Sequence, residues 1–240
     1  MIPASASASA SGARSGLVEG ARVLSGLGLV TAYGHVSVRS GTSMLITPAT
    51  DLATVTESAV LEVPLDASSL PAGAPAESWA HLALYRARPD AGAVARAQPD
   101  SAFAVAVTTD ALVPLHGQGA WLGERVPVHD GAHLLRSAHL AERAAASLPA
   151  GDALLLRGNG ALTLGASPGV AVTRMWLLAA ACDLWLATRS GGRARPLAAE
   201  EIASWRSVQE ELLPRLWQHL RRRAGGGRPA AEALGEGTRT

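Results

Sequence analysis

The segment AESWAHLALYRARPDAGAVARAQPDSA, residues 76–102, joins a helical pattern to a buried-strand pattern. Apolar residues recur at helical spacing in its first half and stop before Pro89, which predicts a helix over 76–90. The small apolar run AGAVARAQ that follows predicts a strand. Side chains repeat every two residues along a strand, so Arg96 and Gln98 leave it on one face. Two large polar side chains at the end of a buried strand are candidates for a binding site.

The rest of the chain alternates irregularly between the two patterns. Helical spacing predicts helices at 15–30, 101–110, 137–149, 167–190 and 199–223, the last with a possible break before Pro214. Alternating or continuous apolar runs between turn residues predict strands at 35–40, 44–48 and 59–66, two strands within 152–165, and short strands within 112–130. Interleaving of this kind predicts an α/β protein with a central mixed or antiparallel sheet and helices packed on it.

Composition predicts one domain and excludes several mechanisms. The 240 residues suffice for one sizeable core; we expect a single domain over 13–223 between disordered tails at 1–12 and 224–240. All 21 basic residues are Arg, which excludes a Schiff-base lysine and a P-loop lysine. Cys182 lies in an apolar helical segment and is expected in the core.

Charge and hydropathy predict the compartment of the protein and the classes of partner that it lacks. The formal net charge of +1 gives no basic field for nucleic acid or an anionic membrane. The first residues lack the charged and apolar regions of a signal peptide, and no window approaches about 20 uninterrupted apolar residues. We therefore expect a cytoplasmic protein with neither nucleic acid nor membrane as partner.

Four sequence segments, in this order along the chain, resemble those of the class II aldolase/adducin family. They are GLVTAYGHVSVR, LITP, the segment 76–102 and ALLLRGNGALTLG, which is followed by the long apolar helix. The resemblance covers roughly residues 15–215. It implies an α/β/α sandwich around a mostly antiparallel sheet, and a homotetramer with active sites between subunits.

The residues also depart from the metal-dependent members of that family. Those members carry a His-x-His pair where this chain has Arg96 and Gln98, and a third His where it has Asn159. Amide oxygens are weak zinc ligands, and an arginine would repel a metal cation. We therefore expect no metal cofactor. The alternative is a divalent metal at a displaced site that uses Glu77, His35, His116 or His129.

A second departure concerns the substrate. The resemblance places an Asn after the first Gly, a Gly-containing loop after TP and paired Ser before the Glu in sugar-phosphate members. At those places this chain has His35, the run TPAT and Pro75-Ala76. It therefore has fewer of the backbone amide and hydroxyl donors that would bind a phosphate. His35 in GHVSVR resembles the branch that acts on non-phosphorylated acids, including dihydroxyphthalate-type aromatic decarboxylases.

The sequence thus predicts a decarboxylase of a small hydroxyaromatic or related unsaturated carboxylic acid. Glu77, at the acid/base position that the resemblance implies, and His35 are the expected catalytic residues. Arg96 is expected to grip a substrate carboxylate bidentately. The other expected substrate-binding residues are Gln98, Asn159, Arg39, His116 and His129.

Other interpretations stay open at this stage. Arg96 is also typical of a structural ion pair, and Glu77 of a carboxylate at a helix start. The whole chain is also compatible with a non-catalytic, adducin-like binding protein. A third alternative is an oxygenase or cyclase of specialised metabolism with a relocated metal site.

Overall fold

A computed structural model describes residues 10–189, 191–192 and 194–225. Within them the chain forms an eight-stranded sheet with the strand order β3-β2-β1-β4-β8-β7-β6-β5. Every neighbouring pair is antiparallel except β6 and β7, which are parallel. The expected mostly antiparallel sheet is confirmed.

The helices and strands follow the sequence patterns closely. The strands are β1 His35–Ser40, β2 Ser43–Ile46, β3 Leu61–Pro64, β4 Ala93–Ala97, β5 Ala111–Leu112, β6 Val126–His129, β7 Ala153–Leu156 and β8 Gly160–Gly165. The helices are α1 Ala10–Gly26, α2 Ser78–Ala87, α3 Asp100–Ala106, α4 Ala138–Ala146, α5 Pro168–Thr188, α6 Ala199–Ser207 and α7 Gln209–Gly225. Short 3₁₀ turns lie at Glu57–Ala59 and Gly117–Leu122.

Two hydrophobic clusters separate the layers of the sandwich. One joins α1, α3, α5 and α7 to one face of the sheet, where Ala93, Ala95 and Ala97 of β4 point. The other joins α2 and α4 to the opposite face, where Val94 points. Because Arg96 has the same parity as Val94, it leaves β4 on the face covered by α2 and α4. The α/β/α arrangement is therefore confirmed.

Two boundaries differ from the sequence expectation. The break in the last helical region lies at Val208, and Pro214 sits inside α7, where its missing N–H costs one helical hydrogen bond. The tails expected at 1–12 and 224–240 fall mostly outside the described residues. Within them, α1 begins at Ala10 and α7 runs to Gly225, a few residues beyond the domain bounds that the sequence predicts.

Helix α5 is long and apolar enough to span a membrane by length and composition. Its burial is that of a core helix, because twelve of its residues are buried and it packs against the sheet and α1. Cys182, on this helix, is fully buried as expected.

Candidate active site

Polar residues from four segments meet at one edge of the sheet, on the face covered by α2 and α4. His35 starts β1 and is paired in register with Arg96 near the end of β4. Asn159 lies in the turn between β7 and β8, and β8 is the other neighbour of β4. Glu77 immediately precedes α2. The structure therefore brings together four of the residues that the sequence singled out.

The centre of this site is a buried ion pair. Arg96 Nη2 lies 3.0 Å from Glu77 Oε2, and the two side chains are 3% and 10% exposed. Asn159 bridges the pair, because its Oδ1 accepts a hydrogen bond from Arg96 Nη2 at 2.5 Å and its Nδ2 donates to Glu77 Oε1 at 2.8 Å. The backbone N–H of Leu135 also donates to Glu77 Oε1. Each charge is thus compensated by its partner.

Gln98 completes the ring around the guanidinium. In the amide orientation that satisfies both of its polar groups, its oxygen accepts from Arg96 Nη2 at 3.2 Å and its nitrogen donates to the Tyr33 carbonyl at 3.0 Å. Nη2 therefore faces more acceptors than it has hydrogens. Nη1 makes a single long contact of 3.3 Å, to the Tyr33 carbonyl, among the described residues. The guanidinium keeps donor capacity on Nη1.

His35 opens a second polar chain that runs away from the cavity into the protein. Its ring centroid lies 5.9 Å from that of His81 on α2. His81 Nδ1 is 2.7 Å from Ser37 Oγ, which is 2.8 Å from the hydroxyl of Tyr85. The Nδ1 atom of His35 and the Nε2 atom of His81 are buried without a hydrogen-bond partner in the described structure.

The buried histidines are neutral near pH 7. Desolvation, with a smaller contribution from the Arg96 charge, lowers the pKa of His35 to about 3. Desolvation and then the His35 and Arg96 charges lower the pKa of His81 well below its usual value. His35 is therefore a neutral hydrogen-bonding group and a weak base near pH 7, without an imidazolium proton to donate.

A cavity of about 500 Å³ opens directly onto the ion pair. His35, Glu77, Arg96, Gln98 and Asn159 form its polar part. The remaining lining is small or apolar apart from Thr50 and one arginine; it consists of Ala32, Tyr33, Gly34, Ala49, Thr50, Pro75, Ala76, Leu134 and Arg136. A polar floor under mostly apolar walls suits a small ring or chain that carries oxygen substituents.

Glycine holds the turn that positions Asn159. Gly160 has φ +83°, and a Cβ there would lie 2.3 Å from the carbonyl oxygen of Ala97. The absence of a side chain therefore lets β8 approach β4 closely, next to Arg96.

Three of the expected substrate-binding residues lie away from this cavity. Arg39 donates to the carbonyls of Ala91, Tyr85 and Arg88 at the far end of β1, and its guanidinium stacks over the Tyr85 ring. His116 precedes the 3₁₀ turn Gly117–Leu122, and the His129 ring contacts Ser147 Oγ at 3.0 Å. Burial lowers the pKa of both histidines.

The donor set does not fit a zinc ion. A guanidinium lies among the positions that three histidines occupy in metal-dependent members of the family that the sequence resembles, which leaves Glu77 and His35 as the strong ligand types that line this cavity. The displaced site is not assembled either, because His116 and His129 lie outside the cavity lined by Glu77 and His35. In the described part of the chain, no group of three or more His, Cys, Asp or Glu side chains is arranged to hold a metal.

The comparison with known proteins agrees with this fold. Residues 15–186 match the family described as "Class II Aldolase and Adducin N-terminal domain". The chain belongs to the class II aldolase and adducin family. The L-fuculose-1-phosphate aldolase of Thermus thermophilus is a similar solved structure, with 30% identity and a TM-score of 0.69 over 76% of this chain and 98% of that chain.

Two further relatives carry less specific names. YgbL of Escherichia coli, provisionally described as an aldolase/epimerase/decarboxylase, is 25% identical with a TM-score of 0.70 over 80% of this chain and 97% of that chain. A Caulobacter vibrioides protein, provisionally named an aldolase class 2 protein, is 30% identical over 129 residues, which are 54% of this chain. The match spans only half the length of that curated relative.

The structure also adds cavity residues that the sequence interpretation missed. Tyr33 and Leu134 stand at its rim, 68% and 53% exposed, and Arg136 lines it from the loop before α4. Tyr33 directly precedes Gly34-His35 in the segment GLVTAYGHVSVR, so its position next to His35 could have indicated a place at the site. Nothing in the run HLLRS around Arg136 distinguishes it from an ordinary surface loop.

Proposed function

We propose that this chain is a carbon–carbon lyase that decarboxylates a small, non-phosphorylated hydroxyaromatic or related unsaturated acid, with Arg96 as the cation of its site. The observation that supports this most directly is the buried Arg96 guanidinium, which faces a mostly apolar cavity from the place of the relatives' metal ligands. A fixed positive group in a dry pocket stabilises negative charge that develops on a substrate oxygen.

The proposed reaction needs no redox partner. The bond to the carboxylate carbon breaks, its electron pair passes to the ring or to an adjacent carbonyl, and CO2 leaves. The ring or chain carbon that carried the carboxylate receives one proton, which water supplies in the overall balance. Arg96 Nη1 stabilises the enolate-like or phenolate-like oxygen, while Asn159 and Gln98 hold the guanidinium in place.

Proton handling falls to Glu77 and His35 in this proposal. Near pH 7 the lowered pKa of His35 leaves its ring neutral and weakly basic, so in this proposal His35 hydrogen-bonds a substrate hydroxyl and Glu77 relays the proton of that hydroxyl. Loss of the hydroxyl proton makes the ring or chain electron-rich, and water protonates the carbon that loses CO2. This assignment replaces the bidentate carboxylate grip expected of Arg96, whose Nη2 is already committed to Glu77 and Asn159.

The rim of the cavity supports the proposal of a homotetramer with sites between subunits. Two large apolar side chains, Tyr33 and Leu134, stand exposed beside the mouth. A second copy that covers them would remove apolar surface from water and exclude water from the cavity. Light scattering on the purified chain would measure the mass, and a stable monomer would contradict this part of the proposal.

Elemental analysis coupled to a CO2-release screen tests the lyase. The screen uses hydroxylated aromatic mono- and dicarboxylic acids, before and after chelation. We expect CO2 release by the wild-type chain to resist the chelator. In Arg96→Met the rate should fall by about two orders of magnitude or more. Arg143→Ala, which removes an exposed arginine of α4 outside the cavity, is the matched control. A stoichiometric metal, or activity lost to the chelator, would contradict the proposed mechanism.

One observation favours a non-catalytic binding protein as the second candidate. Glu77 accepts hydrogen bonds from Arg96, Asn159 and the Leu135 N–H, so its carboxylate is already well satisfied without a substrate. Binding of an acid from the panel without CO2 release from any member would favour this candidate over the lyase.

A further inference from the structure

Arg136 stands at the wall of the cavity without a charged partner. It belongs to the loop between β6 and α4, and its side chain is exposed. No hydrogen bond or ion pair joins its guanidinium to another residue of the described structure. An arginine that lines a cavity and has no protein acceptor is available to an acidic ligand.

The other charges of the cavity cancel. Glu77 and Arg96 form one compensated pair, 3.0 Å apart and largely buried. His35 is neutral near pH 7 because burial lowers its pKa to about 3. The remaining polar lining groups, Thr50, Gln98 and Asn159, carry no charge. The lining therefore carries a net charge of about +1, and that charge resides on Arg136.

We propose that Arg136 is the specificity-determining residue of the cavity and binds the carboxylate of a monoanionic acid. The cavity floor at Arg96 then receives an uncharged oxygen, a hydroxyl or a carbonyl, at the end of the ligand remote from its carboxylate. This inference rests on the proposed function and narrows its substrate class to monocarboxylates with a remote oxygen substituent.

Electrostatics favours a carboxylate at Arg136 and an uncharged oxygen at Arg96. A carboxylate that approached Arg96 directly would lie close to the Glu77 carboxylate and would have to displace it or be repelled. At Arg136 no such anion competes, and the planar guanidinium can donate two parallel hydrogen bonds. The neutral oxygen at the floor contacts Arg96 Nη1, which keeps a free donor.

Binding of a matched acid and amide tests the proposal independently of turnover. The probes are 4-hydroxybenzoate and 4-hydroxybenzamide, measured by titration calorimetry on the full chain and on Arg136→Ala, Arg136→Lys and Arg143→Ala. We expect the wild-type chain to prefer the acid, and Arg136→Ala to weaken acid binding about tenfold while amide binding stays unchanged. Arg136→Lys should restore part of the preference, and Arg143→Ala should behave as wild type.

The outcomes separate this inference from the proposed activity. An Arg136→Ala variant that binds the acid as tightly as the wild type overturns the inference, as does a wild-type chain that shows no preference for the acid or binds neither probe. Acid binding that depends on Arg136, with no CO2 release from any acid of the panel, would instead overturn the lyase and leave the inference standing. Equal melting temperatures of the variants exclude misfolding as the cause.

Discussion

Arg96 Nη2 and Glu77 Oε2 lie 3.0 Å apart at the floor of the cavity, and Asn159 bonds to both groups. The pair joins β4 to the start of α2, across the interface between the sheet and one helical layer. Removal of one member leaves the other charge buried without compensation, which is far more costly than the loss of both. The pair is therefore a structural element as well as a candidate catalytic one.

A double-mutant cycle would measure that coupling. Glu77→Gln, which keeps the shape of the side chain, is expected to lower the free energy of unfolding by about 3 kcal/mol or more, because it strands the buried Arg96 charge. The double variant Glu77→Gln/Arg96→Met should recover much of the loss. Urea unfolding of the two single variants, the double variant and the wild type gives the coupling, and additive effects would contradict a functioning ion pair.

Acidification should destabilise the protein before most carboxylates titrate. The pKa of His35 falls from 6.5 in an exposed state to about 3 in the folded state, and that of His81 falls as well. Below pH 6.5 the unfolded chain therefore binds protons on these histidines, whereas the folded chain does not. Their contribution to the free energy of unfolding is complete above pH 6.5 and is lost as the pH falls. The slope should approach about 1.4 kcal/mol per pH unit for each such histidine.

Urea unfolding at pH 7.5, 6.5 and 5.5 measures this slope. His35→Gln should reduce it, whereas His139→Gln, which removes an exposed imidazole on α4, should leave it unchanged. His116 and His129 add smaller contributions of the same sign, because burial lowers their pKa too. An equal slope in His35→Gln and in the wild type would contradict the neutral, buried state of His35.

The turn that carries Asn159 offers a matched pair of glycines. Gly158 and Gly160 both have positive φ, +71° and +83°, so an added Cβ is strained at either position. Only at Gly160 would that Cβ also lie 2.3 Å from the Ala97 carbonyl oxygen; at Gly158 the nearest atom, the Ala132 Cβ, is 3.4 Å away. Gly158→Ala should cost about 1 kcal/mol, and Gly160→Ala at least about 2 kcal/mol more.

Thermal and urea unfolding of both alanine variants test this difference. Because β8 must shift away from β4 in Gly160→Ala, this variant should also lose binding of the acid probe. Similar unfolding free energies for the two variants would contradict the close approach of β8 to β4.

Most of the fold was accessible from local patterns, because buried strands and amphipathic helices impose their own periods. The period of two predicted that Arg96 and Gln98 share one face, and in the structure the two side chains are in contact. Asn159 is far away in sequence, so only the family resemblance placed it beside them. Its hydrogen bonds to Arg96 and Glu77 depend on the strand order, which no local pattern encodes.

The failures of the sequence interpretation have physical causes. Arg39 shares a face of β1 with His35, but four residues of strand separate them by about 13 Å, so Arg39 points to the opposite end of the sheet. The loops that carry His116 and Arg136 have no period, and their approach to the cavity depends on tertiary packing. His116 was therefore expected at the site but is absent from its lining. Arg136 lines the cavity but was not expected there.

Restoration of three histidines tests whether the guanidinium has taken the place of a metal. Gln98 and Asn159 each contact the Arg96 guanidinium beside Glu77, so the three side chains converge on one region. The triple variant Arg96→His/Gln98→His/Asn159→His should gain a site for about one zinc ion per chain, because three imidazoles and a carboxylate make a tetrahedral donor set. Competition with a chromophoric zinc chelator measures the affinity, which should exceed that of the wild type.

The double variant Arg96→His/Gln98→His is the control, since it removes the cation but leaves Asn159 as a weak amide ligand. It should bind zinc more weakly than the triple variant, and zinc should raise the melting temperature of the triple variant alone by a clear margin. If the triple variant folds but gains no zinc affinity, the three positions do not share one metal-sized centre. The arginine would then be a local ion-pair partner of Glu77 and not a replacement for the ion.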